Sequence, residues 1–291
     1  MKAAPFDYVR AETLAHALEL LGRHGADAKL LAGGQSLVPM MSMRLVRPSL
    51  LVDIHRLTEL QGIHADGDSF VTGSAVRQCT LEHDATLPGR MPLVAQALRW
   101  VGHEQTRNRG TVGGSLVHAD PSAELPLAAA TLDAALVLRS EKGERRLPAG
   151  EFFLGPLCTA TAEDECLVAI EWPRWSGGRV GSAFDEIAIR HGDFAIASAA
   201  AQVQLDDAGL CARATLGVGG VDGVPLALPA LAARLAGKPL TDDLVSAIAA
   251  DASRACEPSS DIHASAEYRR HLVSVLVERV LRRALDAARN P

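Results

Sequence analysis

The sequence predicts an α+β chain built from more than one domain, and three observations carry that prediction. The 291 residues are 48% hydrophobic and 22% charged, enough to fill real cores and too long for one average domain. In the first part of the chain, apolar residues at helical spacing are followed by short extended runs. After a glycine-rich joint at Trp175–Gly181, a hairpin is followed by helical segments. Aromatic residues are only 4% of the chain, so Ala, Leu and Val do the packing.

Taken in order, Leu14, Ala17, Leu18 and Leu21 share one helical face within Thr13–Leu21, and Gly22 and Gly25 are placed to end that helix. Lys29–Ala32 is a short extended run feeding directly into Gly33 and Gly34, and Leu50–Ile54 reads as a strand. The result is a compact α/β unit over residues 1–56 with a glycine loop at a strand end, where α/β folds favour ligands. A second unit spans residues 57–176. In it Ser69–Val76 reads as a strand containing Gly73, and Pro92 opens a helix with Leu93, Val94, Ala97, Leu98 and Val101 on one face and Gly102 as its stop. Ala134–Leu138 and Cys166–Trp172 are apolar strands, the latter closed by Pro173.

The third unit, residues 177–291, opens with strands at Ala195–Leu205 and Leu210–Val218 around an Asp206–Gly209 turn. Its last helix places Val273, Leu276, Val277, Val280, Leu281, Ala284 and Leu285 on one stripe, with Glu278, Arg279, Arg282, Arg283 and Asp286 facing away. Gly217–Gly220 reads as a turn with small-residue packing.

Composition removes several function classes. A net charge of −6 argues against nucleic acid, whose phosphates call for basic patches. No run approaches the roughly 18 apolar residues of a membrane span, and the N-terminus lacks a secretory apolar run, so a cytoplasmic address is expected. The five cysteines have no cluster spacing, and the ten histidines no HExxH-like spacing, so neither an iron–sulfur nor a metal site is expected in this chain.

The chemistry points to two glycine pairs, AGGQS at Ala32–Ser36 and TVGGS at Thr111–Ser115. Glycine lets the backbone come close to a ligand, and each N–H bond to a charged oxygen contributes about 1.5–3 kcal/mol. Either pair alone is better read as a tight turn. Together, each ending in a serine and with His118–Glu124 beside the second, they favour opposite walls of one diphosphate site. Neither has the GxGxxG or GxxxxGK[ST] spacing, which disfavours a Rossmann dinucleotide site and a P-loop. Asp120, before Pro121, is a fair helix N-cap; it and Glu124 can also accept from sugar hydroxyls.

With both motifs in view, the chain resembles the FAD-binding medium subunit of bacterial molybdenum hydroxylases, of the carbon monoxide dehydrogenase and xanthine dehydrogenase type. The runs FDYVRAETLAHALELL, LLAGGQSLVPMMSMRLVRPSLLVDI, RNRGTVGGSLVHADPSAELP and DIHASAEYRRHL carry the resemblance over essentially the full length. It implies a two-part FAD-binding region of the vanillyl-alcohol oxidase type, closed by a C-terminal α/β domain with an antiparallel sheet and packed helices. By the same resemblance the pyrophosphate is held by Ala32, Gly33, Gly34, Gln35 and Ser36 and by Thr111, Val112, Gly113, Gly114 and Ser115. Lys29, Leu30, Leu31 and Leu37 flank the first loop in the same pocket; Val101 lies near the adenine, and His118 and Glu124 near the ribityl and ring. Leu167 packs on the isoalloxazine, and Asp193 or Phe194, in the RHGDFA run, gates access to it.

Two departures from the family pattern bear on this. Gln35 stands where many relatives have histidine, so no histidyl–flavin bond forms there and FAD is expected to be non-covalent. Glu124 stands where several have aspartate, which keeps the carboxylate on a longer arm. The resemblance further implies an electron-transfer oxidoreductase subunit with no catalytic residue acting on organic substrate. Molybdopterin sits on a large partner and two [2Fe–2S] clusters on a small one, in a dimer of heterotrimers. A self-sufficient FAD-dependent oxidase or reductase is the alternative, and a non-enzymatic nucleotide-binding or assembly module the next. Valine at Gly33 and Gly114 is expected to abolish FAD retention and leave the fold largely intact.

Overall fold

The computed structural model describes residues 2–290, which form three sheets around three separate apolar cores and one short hairpin. The first sheet is parallel: β1 (Asp7–Arg10), β2 (Ala28–Leu31) and β3 (Leu50–Asp53) lie in the order β1-β3-β2. Helix α1 (Leu14–His24) covers it, with Thr13 accepting from the His16 N–H as N-cap. The helix runs through Gly22 and stops at Gly25, where φ is +50°. Leaving β2, the chain passes Gly33–Ser36 and enters the short α2 (Leu37–Ser42).

The second sheet is antiparallel. Its strands are β4 (Ile63–Asp66), β5 (Ser69–Gly73), β6 (Ala135–Ser140), β7 (Gly143–Pro148) and, after the hairpin β8 (Phe153–Gly155) and β9 (Cys158–Thr159), β10 (Cys166–Pro173). Their order is β4-β5-β10-β6-β7. The strand expected to reach Val76 ends at Gly73, whose missing side chain leaves room for the Leu60 backbone, and Ser74 turns away. Between β5 and β6 come α3 (Gln78–Glu82), α4 (Leu87–Arg90), α5 (Pro92–Leu98), α6 (Glu104–Arg109), α7 (Val112–His118) and α8 (Glu124–Leu132); α9 (Ala149–Phe152) follows β7. Helix α5 stops at Leu98, before the expected Val101. The second glycine pair is not a loop: it forms the first turn of α7, with Thr111 as N-cap.

The third sheet is antiparallel in the order β11-β12-β13-β14, from β11 (Arg179–Ile187), β12 (Ala197–Leu205), β13 (Cys211–Gly219) and β14 (Leu226–Ala227). The Asp206–Gly209 hairpin forms as expected, with Gly209 at φ +80°. The glycine-rich joint is shorter than its composition suggests. Arg179 already begins β11, and Gly181 is pressed against the backbone of the last helix at Ala284 and Ala288. Helices α10 (Pro229–Ala233), α11 (Asp242–Ala255) and α12 (Ala266–Arg289) complete the chain. The expected stripe from Val273 to Leu285 is buried. Arg279 and Arg283, expected to face away, instead reach the buried Asp185 of β11, so a carboxylate inside the sheet recruits them.

Strand alternation gives this sheet two different faces. Ala183, Ala199 and Ala201 join the core beneath α12, while Phe184 and Ala200 join the core of the second unit. Helix α8, buried along its whole length, packs on that second face: Gly217 leaves room for Thr131 and Leu127, and Gly219 for Leu127. The Gln96 side chain of α5 brackets the sheet edge, donating to the Ser182 carbonyl (3.1 Å) and accepting from the Phe184 N–H (2.9 Å).

Candidate functional site

A cavity of about 600 Å³ opens where β2 ends, bounded by residues from all three units. It lies at the carboxyl end of a parallel sheet, and its volume is that of a small-molecule site. Lys29, Leu30, Ala32, Gly33, Gly34, Gln35, Ser36 and Leu37 line it from the first unit. Val101, Thr111, Gly113, Gly114, Ser115, His118, Glu124 and Leu167 line it from the second. Leu31 and Val112, expected in the same site, do not: Val112 is buried in the core of the second unit, and Leu31 packs beside Gly34.

The two glycine motifs meet rather than face each other. A Cβ on Gly33 would fall on the Arg109 carbonyl and lie 2.9 Å from the Gly110 Cα, and one on Gly114 would lie 4.0 Å from the Ala32 Cβ. They form one continuous floor, not opposite walls. Gly34 takes φ +72°, a conformation that costs an ordinary residue about 1–2 kcal/mol. Among the described residues, the backbone N–H groups of Gly33, Gly34, Gln35 and Ser36 donate to no acceptor in the chain. Four successive free donors at the floor of a cavity are a cradle for anionic oxygens.

The second motif is spoken for. Val112 N–H donates to the Val76 carbonyl (2.9 Å), Gly113 to Ser74 (2.9 Å), Gly114 to Thr111 Oγ1 (3.0 Å) and Ser115 to the Thr111 carbonyl (3.2 Å). A Cβ on Gly113 would strike Ser74, so this glycine exists for backbone packing. Within the lining, Lys29 is the only lysine or arginine among the described residues. Gln35 is exposed and donates its amide to the Gly33 carbonyl (3.2 Å), bracing the loop.

The polar far side is set by burial. Glu124 is 6% exposed, and burial, reinforced by Asp120, pushes its carboxyl up to about 7. His118, half-buried at the end of α7, is held below the ordinary histidine range by desolvation, so it is neutral at pH 7. Asp120 does not cap a helix: its carboxylate accepts from the Ser122 N–H (2.9 Å), and α8 starts only at Glu124 with Ala123 in the cap position. Burial also pushes the Cys166 thiol up to about 12, leaving it inert.

Several lining residues carried no readable signal. Ser74 and Gln78 both line the cavity, and each holds a buried oxygen (Oγ and Oε1) without a partner among the described residues. Their meaning depends on the turn after Gly73, which looks like strand in sequence. Leu157 lines it at φ +56°, pinned by its N–H to the Ala119 carbonyl (3.0 Å). The Arg190–Ala195 segment brings Gly192, Asp193 and Phe194 to the rim, with His191 stacked on Trp100 and Phe194 66% exposed. Among the described residues, no cluster of three His, Cys, Asp or Glu is placed to hold a metal ion, and no helix is long and apolar enough to cross a membrane.

Comparison with known proteins matches residues 4–175 to the FAD binding domain in molybdopterin dehydrogenase and residues 182–284 to the CO dehydrogenase flavoprotein C-terminal domain. The chain is 40% identical to the 6-hydroxypseudooxynicotine dehydrogenase complex subunit alpha of Paenarthrobacter nicotinovorans, covering 99% of this chain and 97% of that one. It is 37% identical to caffeine dehydrogenase subunit beta of Pseudomonas sp. strain CBB1, covering 98% and 97%. In structure it matches a carbon monoxide dehydrogenase from Hydrogenophaga pseudoflava that lacks the Mo-pyranopterin moiety of its molybdenum cofactor, at a TM-score of 0.95 and 35% identity over 99% of each chain.

Proposed function

The chain belongs to the family of FAD-binding medium subunits of molybdenum-containing dehydrogenases, and from that premise we propose how its cavity serves that role. FAD is the cofactor, and when bound it supplies chemistry that accepts single electrons and passes on one or two. The observation that carries the reading is the run of free N–H donors at Gly33–Ser36 on the cavity floor. These donors hold the pyrophosphate without a lysine or arginine clamp. The Ala32–Ser36 and Thr111–Ser115 segments form the pyrophosphate floor, and Ser36 and Ser115 add hydroxyls to it. Val112 and Gly113 hold that floor by tying α7 to Val76 and Ser74, and Thr111 caps its first turn at Gly114.

The buried oxygens of Ser74 and Gln78 fit a ligand that brings its own hydroxyls and amides into the cavity. Lys29, Leu30 and Leu37 flank the first loop, and Val101 lines the adenine end. His118 and Glu124, both neutral over part of the physiological range, meet the ribityl chain and ring, with Leu167 against the isoalloxazine. Leu31 and Val112 support the two segments from behind. Phe194 and Asp193 guard the ring's rim. Gln35 offers no nucleophilic ring nitrogen, which supports non-covalent FAD.

In this reading residues 1–56 and 57–176 form a two-part FAD site of the vanillyl-alcohol oxidase type, and residues 177–291 close it. Its electrons come from [2Fe–2S] clusters on a small partner subunit, delivered from a large molybdopterin subunit in a cytoplasmic dimer of heterotrimers. The experiment is a visible spectrum of the purified chain with mass analysis of what acid releases. Flavin bands and free FAD are expected. A chain that stays colourless after FAD is added, or one that oxidises an organic substrate without partners, overturns the reading.

A further inference from the structure

A second buried carboxyl lies behind the cavity wall. Glu186 of β11 is 3% exposed, and neither carboxyl oxygen has a partner among the described residues. By strand alternation it shares a face with Phe184, which is packed in the core of the second unit, so its side chain points toward that unit and away from α12. Directly across the ladder is Ser198, whose buried Oγ also has no partner among the described residues, and beyond it Gly219, which lies close to the Pro121 carbonyl. Pro121 sits in the same short segment as Glu124, the carboxyl on the cavity side. Two acids therefore occupy one seam. Arg269 of α12 reaches the Ile196 and Gly220 carbonyls at the end of this seam, but its guanidinium is paired with Asp261; among the described residues neither Glu124 nor Glu186 forms an ion pair. An unpaired buried carboxylate is costly, so a seam of this kind retains protons.

Resting on the reading of the cavity as an FAD site, we propose that Glu124 and Glu186 act as one proton-accepting pair that takes up a proton when negative charge arrives in the cavity. Burial is the largest influence on both groups. It lifts Glu124 to about 7 and Glu186 to about 9, and Glu124 acts on Glu186 more strongly than the adjacent Asp185 does. The surrounding charges leave this pair as the group that responds. Asp120 and Arg107 act on Glu124 with opposite signs. Asp185 is held by Arg279 and Arg283 of α12 on the other face of the strand. His118 is already neutral at pH 7, and β12 and β13 present only Ser198 and Gly219. Near neutral pH the pair holds one proton firmly and a second partly. Electrons entering from a reduced iron–sulfur donor add negative charge, and a proton from solvent converts the Glu124 carboxylate to the acid. Delivery of the electrons to an external acceptor releases that proton again; no carbon bond forms or breaks.

The test uses the full-length chain with Glu124→Gln and Glu186→Gln, each keeping the shape of the neutral acid. In the FAD-free protein, infrared titration should resolve two protonated carboxyls above the ordinary carboxylate range. Glu186→Gln should remove the upper step, and Glu124→Gln should move that upper step to lower pH. In the FAD-loaded protein, reduced by dithionite in weak buffer with an indicator dye, wild type at about pH 7.5 should take up about half to three-quarters of a proton more per flavin than Glu124→Gln. Glu186→Gln, which does not line the cavity, should keep FAD and lose the extra uptake at about pH 9. Ordinary carboxylate titration of both groups, or equal proton uptake by all three proteins, overturns the proposal. Failure of the wild-type chain to bind FAD would instead strike the flavin reading, while the infrared titration still decides the pair.

Discussion

Gly33-Gly34 and Gly113-Gly114 look alike in sequence and behave as opposites in the fold. The first pair leaves a strand, bends through a left-handed Gly34 and, among the described residues, leaves its donors without partners in the cavity lining. The second opens a helix, spends its donors on Ser74 and Thr111, and uses its bareness to admit other backbone. A glycine pair thus has two distinct uses, freeing N–H groups and allowing close approach. Only the conformations around it tell which one is in force.

The sharpest way to break this contrast is Gly33→Val. Its side chain would land on the Arg109 carbonyl and beside Gly110, rather than in open cavity, so the first loop must part from the start of the second motif. Overpacking of this kind costs about 1–3 kcal/mol, and a branched side chain against backbone lies at the upper end. The variant should lose both flavin content and unfolding midpoint, in contrast to the ligand-only effect that sequence suggests. A variant with wild-type denaturant unfolding and no FAD would show that Gly33 serves the ligand and not the junction.

Gly34→Ala comes next in size. At φ +72° the substitution costs about 1–2 kcal/mol, and its Cβ also presses on the Val38 and Leu31 side chains at 3.2 and 3.3 Å. Because the free donors at Gln35 and Ser36 follow directly, relief of that strain should turn them out of line. FAD affinity is then expected to fall about tenfold, the equivalent of 1.4 kcal/mol. Gly34→Asn should lose less of both, since asparagine tolerates the left-handed region. Equal losses for Ala and Asn, measured by flavin fluorescence titration, would remove backbone conformation as the cause.

Much of this is legible in the sequence. Periodicity gave α1, the hairpin at Asp206–Gly209 and the buried stripe of α12, because each is a local pattern facing one core. Both glycine pairs and the Glu124 carboxyl are readable as lining residues. What the sequence hides are places where a distant backbone decides the outcome. β5 stops at Gly73 because Leu60 crosses there, and Gly181 lies inside a strand because α12 presses on it. Ser74, Gln78 and Leu157 reach the cavity through turns with no periodic signature. Arg279 and Arg283 face a carboxylate on a strand that neighbouring glycines disguise as a linker.

The smallest effect, and the most discriminating, is expected from Thr111→Val. Thr111 Oγ1 accepts the Gly114 N–H at 3.0 Å, a cap whose loss costs about 1 kcal/mol. The same change releases that N–H toward the cavity, which Gly114 lines. If the second motif is chiefly scaffold, stability falls by about that amount while FAD affinity moves by less than about threefold, under 1 kcal/mol. If its donors bind the pyrophosphate directly once FAD is in place, freeing Gly114 from its cap should tighten binding at the same loss of stability. Thr111→Ser keeps the accepting oxygen and should restore both values. A large loss of affinity at unchanged stability would show instead that the Thr111 hydroxyl touches the flavin nucleotide itself, and the two motifs would then be alike after all.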